Sequence, residues 1–268
     1  MDLITSRNNA RVKQVRALRQ RKARQESGLF LVEGIRHVGE AVEAGAELEA
    51  LLYAPDLLKS AYARELVEAQ QRHGLPCLAL ASEVFESLAD KDNPAGILAV
   101  VRQPQHRLAD FSPANLRWGA ALVAPQDPGN LGTILRTLDA VGAAALLLLD
   151  SDLEAYHPSA VRASMGAIFW KPLVSASFAE FAAWSRQHGY HVYGTSAHGA
   201  VDYRLARDYQ SPCILLLGSE REGLTPEQAA VCERMLRLPM EGRATSLNLG
   251  VAAGVMLYEM YPALSRHD

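Results

Sequence analysis

The stretch 215-LLLGSEREGLTPEQ-228 decides how this sequence is interpreted, because an apolar segment runs there into a loop with a glycine at each end. The leucines indicate a buried strand, and a helix is predicted from Pro226. Such a strand, glycine loop and helix are typical of a phosphate-binding site. However, Leu224 stands where a P-loop carries lysine, and Glu220 and Glu222 would repel phosphate. The loop therefore predicts a ligand with hydroxyl groups or positive charge.

A second loop, 125-PQDPGNLGTILRT-137, also follows an apolar strand and precedes a helix. Asn130 is predicted to cap that helix, because asparagine accepts hydrogen bonds from the first helical amides. Arg136 lies nearly opposite the apolar stripe of the same helix. Arg136 is therefore either a solvated surface residue or a cation aimed into the cleft at the strand ends.

A third loop, 238-LPMEGRATSLNLG-250, precedes the last predicted helix, 246–261. Thr245 or Ser246 would cap this helix on the simplest interpretation. Asn248 falls in its first turn, although asparagine is a poor helix former. We therefore expect Asn248 to be present for hydrogen bonding.

The rest of the chain alternates strands and helices in two series, which predicts an α/β fold. The first series has strands at 29–34, 50–54, 77–81 and 96–101 and helices at 35–45 and 56–73. The second has strands at 119–125, 144–150, 190–197, 213–218 and 235–240 and helices from 130, near 158–167, from 226 and at 246–261. Apolar strands indicate a parallel sheet, whose ligands bind beyond the carboxyl ends of the strands. The predicted domains are 1–104 and 118–268, joined by a linker at 105–117.

The N-terminal segment 1–26 is strongly basic. Its cations are Arg7, Arg11, Lys13, Arg16, Arg19, Arg21, Lys22 and Arg24, against only Asp2 and Glu26. Val12, Val15 and Leu18 recur among them at helical spacing, which predicts one amphipathic helix with a basic face. That helix is a solvated surface helix, an RNA-backbone contact or a transit peptide. Because it continues directly into the strand 29-LFLVEG-34, we take it as part of the folded domain.

Composition limits the class of protein. An apolar fraction of 49% and a charged fraction of 21% are typical of a globular protein. No apolar run reaches the about 18 residues needed to span a membrane. Cys77, Cys213 and Cys232 are widely spaced, which predicts buried side chains in the reducing cytoplasm and no metal site.

The three loops together resemble the SpoU/TrmH family of RNA ribose 2′-O-methyltransferases. The motifs that carry the resemblance are 127-DPGNLGTILRTLDAVG-142, 162-RASMGA-167, 215-LLLGSEREGL-224 and 238-LPMEGRATSLNLGVAAGVMLYE-259. The match covers about 118–262. The part before it looks like the family's smaller substrate-binding domain, a ribosomal-protein-like α/β fold.

The resemblance implies a C-terminal trefoil-knotted methyltransferase domain with a parallel sheet, a homodimer, and S-adenosylmethionine as cofactor. The positions that match the family's functional residues are Asn130, Arg136, Glu220, Ser246 and Asn248. The cofactor would be bound by Thr195, Gly218, Leu238, Met240, Ser246 and Leu247. RNA would be bound by Arg7, Arg11, Arg16, Arg19, Arg21 and Arg162. Leu249 and Gly250 depart from the residues that many members carry after the asparagine, without changing a matched polar position.

The function so implied is methylation of a ribose 2′-hydroxyl in structured RNA, with large-subunit ribosomal RNA as the expected substrate. The alternatives are a tRNA 2′-O-methyltransferase and a non-catalytic RNA-binding or ribosome-assembly module. A dehydrogenase or a kinase is not supported, because the sequence lacks the glycine signature of the first and the lysine signature of the second. Arg136 is expected to grip a phosphate and stabilise the oxyanion, because a guanidinium stays protonated and is a poor base. Ser246 and Asn248 would position Arg136 or the ribose, and Glu220 would brace its loop or fix Asn130.

Overall fold

The computed structural model describes residues 3–90 and 93–264. Residues 1–2, 91–92 and 265–268, which belong to the predicted domains, lie outside the described part. The chain forms two compact units: unit 1 contains the residues up to Gln103 together with Tyr156–Arg162, and unit 2 contains Pro104–Ala155 and the residues from Ala163 onward. Within the described ranges, no helix is long and apolar enough to cross a membrane.

Unit 1 is built on a four-stranded mixed sheet. Its strands are β1 (Leu29–Glu33), β2 (Leu48–Tyr53), β3 (Cys77–Ala79) and β4 (Ile97–Arg102), in the order β1-β4-β2-β3. Its helices are α1 (Ala10–Ala17), α2 (Arg21–Ser27), α3 (Ile35–Glu43), α4 (Ala61–Arg72) and α5 (Ser82–Glu86). Strand β4 pairs antiparallel with β1 and β2, whereas β2 and β3 are parallel. The predicted α/β character of the N-terminal part is confirmed.

The basic N-terminal segment forms two short helices, so the prediction of a single helix is wrong. Val12, Val15 and Leu18 are buried as their spacing predicted. The amides of Leu18 and Gln20 bond to carbonyls three residues back, at Val15 and Ala17. Bonds of this type tighten and end a helix. Helix α1 therefore ends at Ala17, and α2 begins at Arg21.

Unit 2 is built on a seven-stranded sheet. Its strands are β5 (Trp118–Val123), β6 (Leu146–Leu149), β7 (Leu173–Ala176), β8 (His191–Thr195), β9 (Val201–Asp202), β10 (Cys213–Leu217) and β11 (Arg234–Arg237). The helices in this part of the sequence are α6 (Pro128–Ala140), α7 (Pro158–Ala163), α8 (Phe178–Gln187), α9 (Pro226–Ala229) and α10 (Leu249–Leu264). Most of α7 belongs to unit 1.

The large sheet is parallel throughout, in the order β7-β6-β5-β10-β8-β11-β9. Strands β5, β6 and β10 are buried along their whole length, as predicted for a parallel sheet covered on both faces. Strands β5, β10, β8 and β11 are neighbours, so the loops that follow them lie at one edge of the sheet. This order brings together the three loops that the sequence singled out. The trefoil knot implied by the resemblance stays a prediction.

Several parts of the chain after Pro104 differ from the predicted pattern. Strands β7 and β9 and helix α8 were not predicted. The helix predicted near 158–167 ends at Ala163, because Met165 and Gly166 have positive φ angles of 49° and 92°. A separate 3-10 turn, Ala167–Phe169, follows this break.

Candidate active site

A cavity of about 360 Å³ lies at the carboxyl edge of the large sheet. It is lined by the turns after β8 and β10 and by the loop between β11 and α10. All six residues predicted to bind the cofactor line this one cavity: Thr195, Gly218, Leu238, Met240, Ser246 and Leu247. The sequence motifs therefore meet at a common ligand-sized space.

The glycine loop after β10 is closed by its own backbone. The Gly223 amide donates to the Ser219 carbonyl over 3.0 Å, and the Ser219 hydroxyl accepts the Glu222 amide over 3.2 Å. Gly223 has a φ of 68°, and a Cβ on Gly218 would lie 2.1 Å from the carbonyl carbon of Gly223. Both glycines are therefore required by the closure of the turn itself. The turn holds Glu220, Arg221 and Glu222 at the cavity, which is unlike a phosphate cradle.

A chain of polar contacts ties the three loops together. Asn248 Nδ2 donates to Asn130 Oδ1 over 2.9 Å, and Asn130 Nδ2 donates to Glu220 Oε1 over 3.2 Å. Glu220 Oε2 also accepts the backbone amide of Gln126 over 3.2 Å. Asn130 is only 8% exposed, so its amide has to find both partners inside the protein. We call Asn248, Asn130 and Glu220 the polar triad.

The capping roles of the two asparagines differ from the prediction. Asp127 caps α6 by accepting the Gly129 amide over 2.7 Å, and Asn130 lies in the first turn of that helix. The last helix begins at Leu249, so Asn248 precedes it. Asn248 Oδ1 accepts the amides of Gly250 and Val251 over 2.9 and 3.3 Å. Asn248 is therefore the cap of α10, in place of Thr245 or Ser246.

Gly250 has a packing role at the start of α10. A Cβ at this position would lie 3.2 Å from Asn248 Oδ1 and 3.4 Å from Thr133 Cγ2. Glycine thus lets the first turn of α10 approach both α6 and the capping side chain. The departure from the family pattern at this position thus lies directly beside the capping side chain.

Arg136 stands apart from the cavity. It is exposed on α6 and is not among the residues that line the cavity. In the described ranges 3–90 and 93–264, no hydrogen bond or ion pair engages its guanidinium. Of the five predicted catalytic residues, Glu220 and Ser246 line the cavity, and Asn130 and Asn248 connect to it through Glu220. Arg136 is therefore an exposed cation without a side-chain partner in the described part of the chain.

The residues predicted to bind RNA fall into two groups in unit 1. Arg7, Arg11 and Arg21 are exposed. By contrast, Arg16 donates to the Arg7 carbonyl over 3.3 Å and to Ser87 Oγ over 2.8 Å. Arg16 is therefore held by the domain itself.

Arg19 and Arg162 are also engaged inside unit 1. Arg19 donates to the Leu88 carbonyl and pairs with Glu33 and Asp90 over 3.0 and 3.2 Å. Arg162 pairs with the same Asp90 over 2.5 Å. Arg16, Arg19 and Arg162 thus have protein partners that the charge pattern did not reveal.

The side chains at the cavity that were missed in the sequence include one imidazole and one guanidinium. His198 and Arg221 both line it. His198 sits in a tight turn after β8, where its amide bonds to Ser196 Oγ over 3.1 Å and the Gly199 amide bonds to the Ser196 carbonyl over 3.1 Å. The sequence 196-SAHG-199 directly after an apolar strand was the signal that could have found this turn.

The cysteines and acids give no sign of metal or thiol chemistry in the described part of the chain. No group of three His, Cys, Asp or Glu side chains there could hold a metal ion. Burial raises the pKa of the Cys213 and Cys232 thiols to about 12. Both thiols are therefore protonated at neutral pH and serve as packing groups.

Comparison with known proteins gives consistent matches over both units. The SpoU rRNA Methylase family matches residues 119–258, and the MRM3-like substrate binding domain matches residues 9–99. The 23S rRNA (uridine(2479)-2′-O)-methyltransferase of Streptomyces viridochromogenes is 35% identical over 264 residues, covering 96% of this chain and 90% of the relative. The 23S rRNA (guanosine(2553)-2′-O)-methyltransferase RlmP of Bacillus subtilis is 29% identical, covering 97% and 99%.

A solved structure shares the whole architecture. The AdoMet-bound rRNA methyltransferase from Sinorhizobium meliloti superposes with a TM-score of 0.89 at 34% identity, covering 98% of each chain. The family match alone spans just over half of the 268 residues. The matched segment contains the three cavity loops and the polar triad. This chain therefore belongs to the SpoU rRNA methylase family.

Proposed function

We propose that this protein methylates a ribose 2′-hydroxyl in structured RNA, namely large-subunit ribosomal RNA, with S-adenosylmethionine as the methyl donor. The observation that carries the proposal is the meeting of three motif loops at one cavity, tied by the Asn248–Asn130–Glu220 contacts. The two relatives named above are 23S rRNA 2′-O-methyltransferases and match nearly the whole chain. Their match over unit 1 as well as unit 2 favours ribosomal RNA over tRNA.

The cavity has the chemistry that S-adenosylmethionine requires. Leu238, Met240 and Leu247 offer apolar surface for the faces of an adenine ring. Glu220 and Glu222 give another part of the cavity wall negative charge. Carboxylates attract a sulfonium cation and repel phosphate. A volume of about 360 Å³ falls in the range of small-molecule pockets.

The bound cofactor would supply an electrophilic methyl group for attack by the ribose oxygen. The task of this chain is to hold the ribose in line, exclude water and stabilise the oxygen as it loses its proton. Arg136 is a poor proton acceptor because a guanidinium remains protonated at neutral pH. We assign it the role of binding an RNA phosphate and stabilising the oxyanion, and the proton leaves to that phosphate or to water.

We propose that the polar triad supports the site by holding its loops together, with Glu220 also facing the cavity. Glu220 fixes Asn130 and the backbone before α6, while Asn248 fixes the first turn of α10. The Asn248–Asn130, Asn130–Glu220 and Glu220–Gln126 bonds cross from one loop to another, so the triad sets the distance between the loops. We propose that Ser246, beside Asn248 and on the cavity wall, orients the ribose.

We further propose that the protein acts as a homodimer. Helix α10 buries Ala253, Met256, Leu257 and Met260, yet Val251, Tyr258 and Tyr261 remain 52%, 56% and 40% exposed on it. Apolar side chains grouped on one helix are typical of an interface. A second copy that covers this surface offers Arg136 a route to the cavity of the partner subunit. We place this dimer in the cytoplasm, where bacterial ribosomal RNA is modified.

The proposal is tested by deleting the gene in the host and mapping 2′-O-methyl groups across its ribosomal and transfer RNAs. Loss of a single mark in large-subunit rRNA, restored by the wild-type gene, supports the proposal. Loss of a tRNA mark would assign the tRNA alternative. An unchanged methylation map, together with purified protein that takes up no S-adenosylmethionine by calorimetry, would leave only a non-catalytic RNA-binding role.

A further inference from the structure

One carboxylate in unit 1 lies between two of the arginines that the sequence predicted to bind RNA. Asp90 pairs with Arg19 Nη1 over 3.2 Å and with Arg162 Nη1 over 2.5 Å. The side chains of Asp90 and Arg162 are 44% and 43% exposed, whereas that of Arg19 is 23% exposed. Two guanidinium groups thus converge at the surface on a single negative group.

Arg19 is held in place independently of Asp90. Its Nε donates to the Leu88 carbonyl over 2.9 Å, and its Nη2 donates to Glu33 Oε2 over 3.0 Å. The Glu33 side chain is only 15% exposed and also accepts the Asp90 amide over 2.8 Å. These contacts use one edge of the guanidinium and leave Nη1 for Asp90. Loss of Asp90 as a partner would therefore leave Arg19 in position.

Arg162 has its own anchor in unit 1. It lies in the last turn of α7, and the segment before α7 carries Tyr156. Tyr156 is buried, and its ring lies 4.7 Å from the ring of Phe30 in β1, measured between centroids. The backbone that carries Arg162 is thus fixed by an aromatic contact, so the ion pair with Asp90 is not needed to keep Arg162 near Arg19.

We propose that Arg19 and Arg162 form a binding site for one RNA phosphodiester, and that Asp90 occupies this site until RNA displaces it. A phosphodiester carries the same single charge as the carboxylate and accepts the same N–H donors. Two arginines that are already oriented bind it with little loss of side-chain entropy. This inference rests on the proposed function, because it assigns a contact for the RNA substrate.

The site gives Asp90 a measurable effect on RNA binding. As long as Asp90 competes with phosphate, its charge weakens the interaction and reduces the number of counterions that binding releases. The substitution Asp90→Asn keeps the shape of the side chain and removes the charge. We expect it to raise RNA affinity several-fold at about 0.1 M salt and to steepen the dependence of log Kd on log salt.

The probe is a 23S rRNA transcript that contains nucleotides 2479 and 2553, the positions named for the two relatives. Binding is measured by filter retention with the full-length protein at several salt concentrations. The matched control is Glu49→Gln, which removes one acid of similar exposure that also pairs with an arginine of unit 1, Arg102. This control measures the effect of net charge alone.

The gain must depend on the arginines. In the double variant Asp90→Asn/Arg162→Gln, the increase in affinity and the steeper salt dependence should both disappear. Thermal unfolding of every variant checks the fold. Should Asp90→Asn fail to fold, Arg162→Gln alone provides the test. This variant should lower RNA affinity and flatten the salt dependence, because Asp90 then neutralises Arg19, the one arginine left at the site.

The proposal is overturned if Asp90→Asn behaves as Glu49→Gln does, or if the gain persists without Arg162. Calorimetry with S-adenosylhomocysteine separates this failure from failure of the proposed function. Cofactor uptake by unit 2 with no effect of Asp90 on RNA binding would leave the methyltransferase standing and remove the phosphate site alone.

Discussion

Two regions were singled out in the sequence, namely the cavity loops of unit 2 and the basic segment of unit 1. Their predicted residues have different surroundings in the structure. At the cavity, all six residues predicted to bind the cofactor line one space. In the basic segment, Arg16 and Arg19 donate hydrogen bonds to Ser87, Leu88 and Glu33 of their own domain. The residues that the family resemblance implied thus share one cavity, whereas the charge pattern did not reveal which arginines bond to their own domain.

The physical reason lies in what each pattern constrains. A parallel sheet brings the carboxyl ends of its strands to one edge, so the residues that follow β8, β10 and β11 are confined to that edge. A long arginine side chain can turn toward solvent or back onto carbonyls and carboxylates of the domain. Sequence-local charge therefore predicts a basic segment but leaves the partner of each guanidinium open. The five predictions below test this difference, beginning with the largest expected effect.

Substitution of Arg136 should have the largest effect on activity. Arg136→Ala should reduce methyl transfer by about 100-fold to 1000-fold, the loss expected when a group that stabilises an oxyanion is removed. Arg136→Lys should recover little, because lysine cannot reproduce the bidentate geometry of the guanidinium. Transfer from tritiated S-adenosylmethionine under single-turnover conditions measures both. Cofactor affinity should be unchanged, since Arg136 is assigned to the RNA phosphate and the oxyanion, and full activity of Arg136→Lys would refute the bidentate role.

Mixed dimers should show whether Arg136 acts in the partner subunit. The variants Arg136→Ala and Leu238→Arg are each expected to be inactive, the second because a cation on the cavity wall repels the sulfonium. Mixing them through partial denaturation and renaturation should restore activity, since one cavity then has an intact wall and an intact Arg136 from its partner. Renatured single variants are the controls. Mixtures that stay inactive would place Arg136 in the same chain as the cavity it serves.

Removal of the polar triad should have an intermediate effect. Asn130→Ala or Asn248→Ala should reduce kcat/KM by about 10-fold to 100-fold, because a small displacement of the loops misaligns the reactants. The double variant should be hardly worse than either one, since the two side chains share a hydrogen bond of 2.9 Å. Steady-state kinetics of the wild type, the two single variants and the double variant measure the coupling between the two asparagines. Fully additive losses would show that the asparagines act separately.

The triad also shows how far sequence could go. The strand ends and glycine turns were predictable from period and residue type, whereas the contact between Asn130 and Asn248 joins residues 118 positions apart. The polar residues near the start of a helix do not reveal which of them caps it. Asn248 caps α10, although Thr245 or Ser246 was expected to do so. The contact of Glu220 with Asn130 was one of two expected roles for Glu220, whereas Asn248 was expected to position Arg136 or the ribose and bonds to Asn130 instead.

The elements missed in unit 2 have a similar explanation. Strand β7 has only two buried residues and begins after Pro172, so its apolar pattern is too short to stand out. Helix α8, by contrast, carried a signal that was overlooked. Ser177 and Glu180 form a capping box in which each side chain accepts the backbone amide of the other's residue. Helix ends of this kind can be found from sequence, whereas a short half-exposed strand cannot.

Stability should separate the engaged arginines from the exposed ones. Arg19→Ala should lower the free energy of unfolding by about 1–3 kcal/mol, because it leaves the Leu88 carbonyl and Glu33 without their donor. Arg11→Ala should change it by less than about 0.5 kcal/mol, as is usual for an exposed side chain. Urea unfolding followed by circular dichroism measures both. Equal effects would mean that the internal contacts of Arg19 contribute nothing.

The smallest expected effect concerns the exposed arginines that remain available to RNA. Arg7→Ala and Arg11→Ala should each flatten the plot of log Kd against log salt by about 0.7–0.9, the value for one lost phosphate contact, with no change in unfolding temperature. Arg186→Ala, an exposed position on α8 of unit 2, is the matched control and should leave the slope unchanged. If Arg186 had the same effect as Arg7 and Arg11, RNA would be responding to net charge. A slope altered only at Arg7 and Arg11 would instead show that the basic segment keeps a surface for RNA beside the arginines that the domain uses for its own folding.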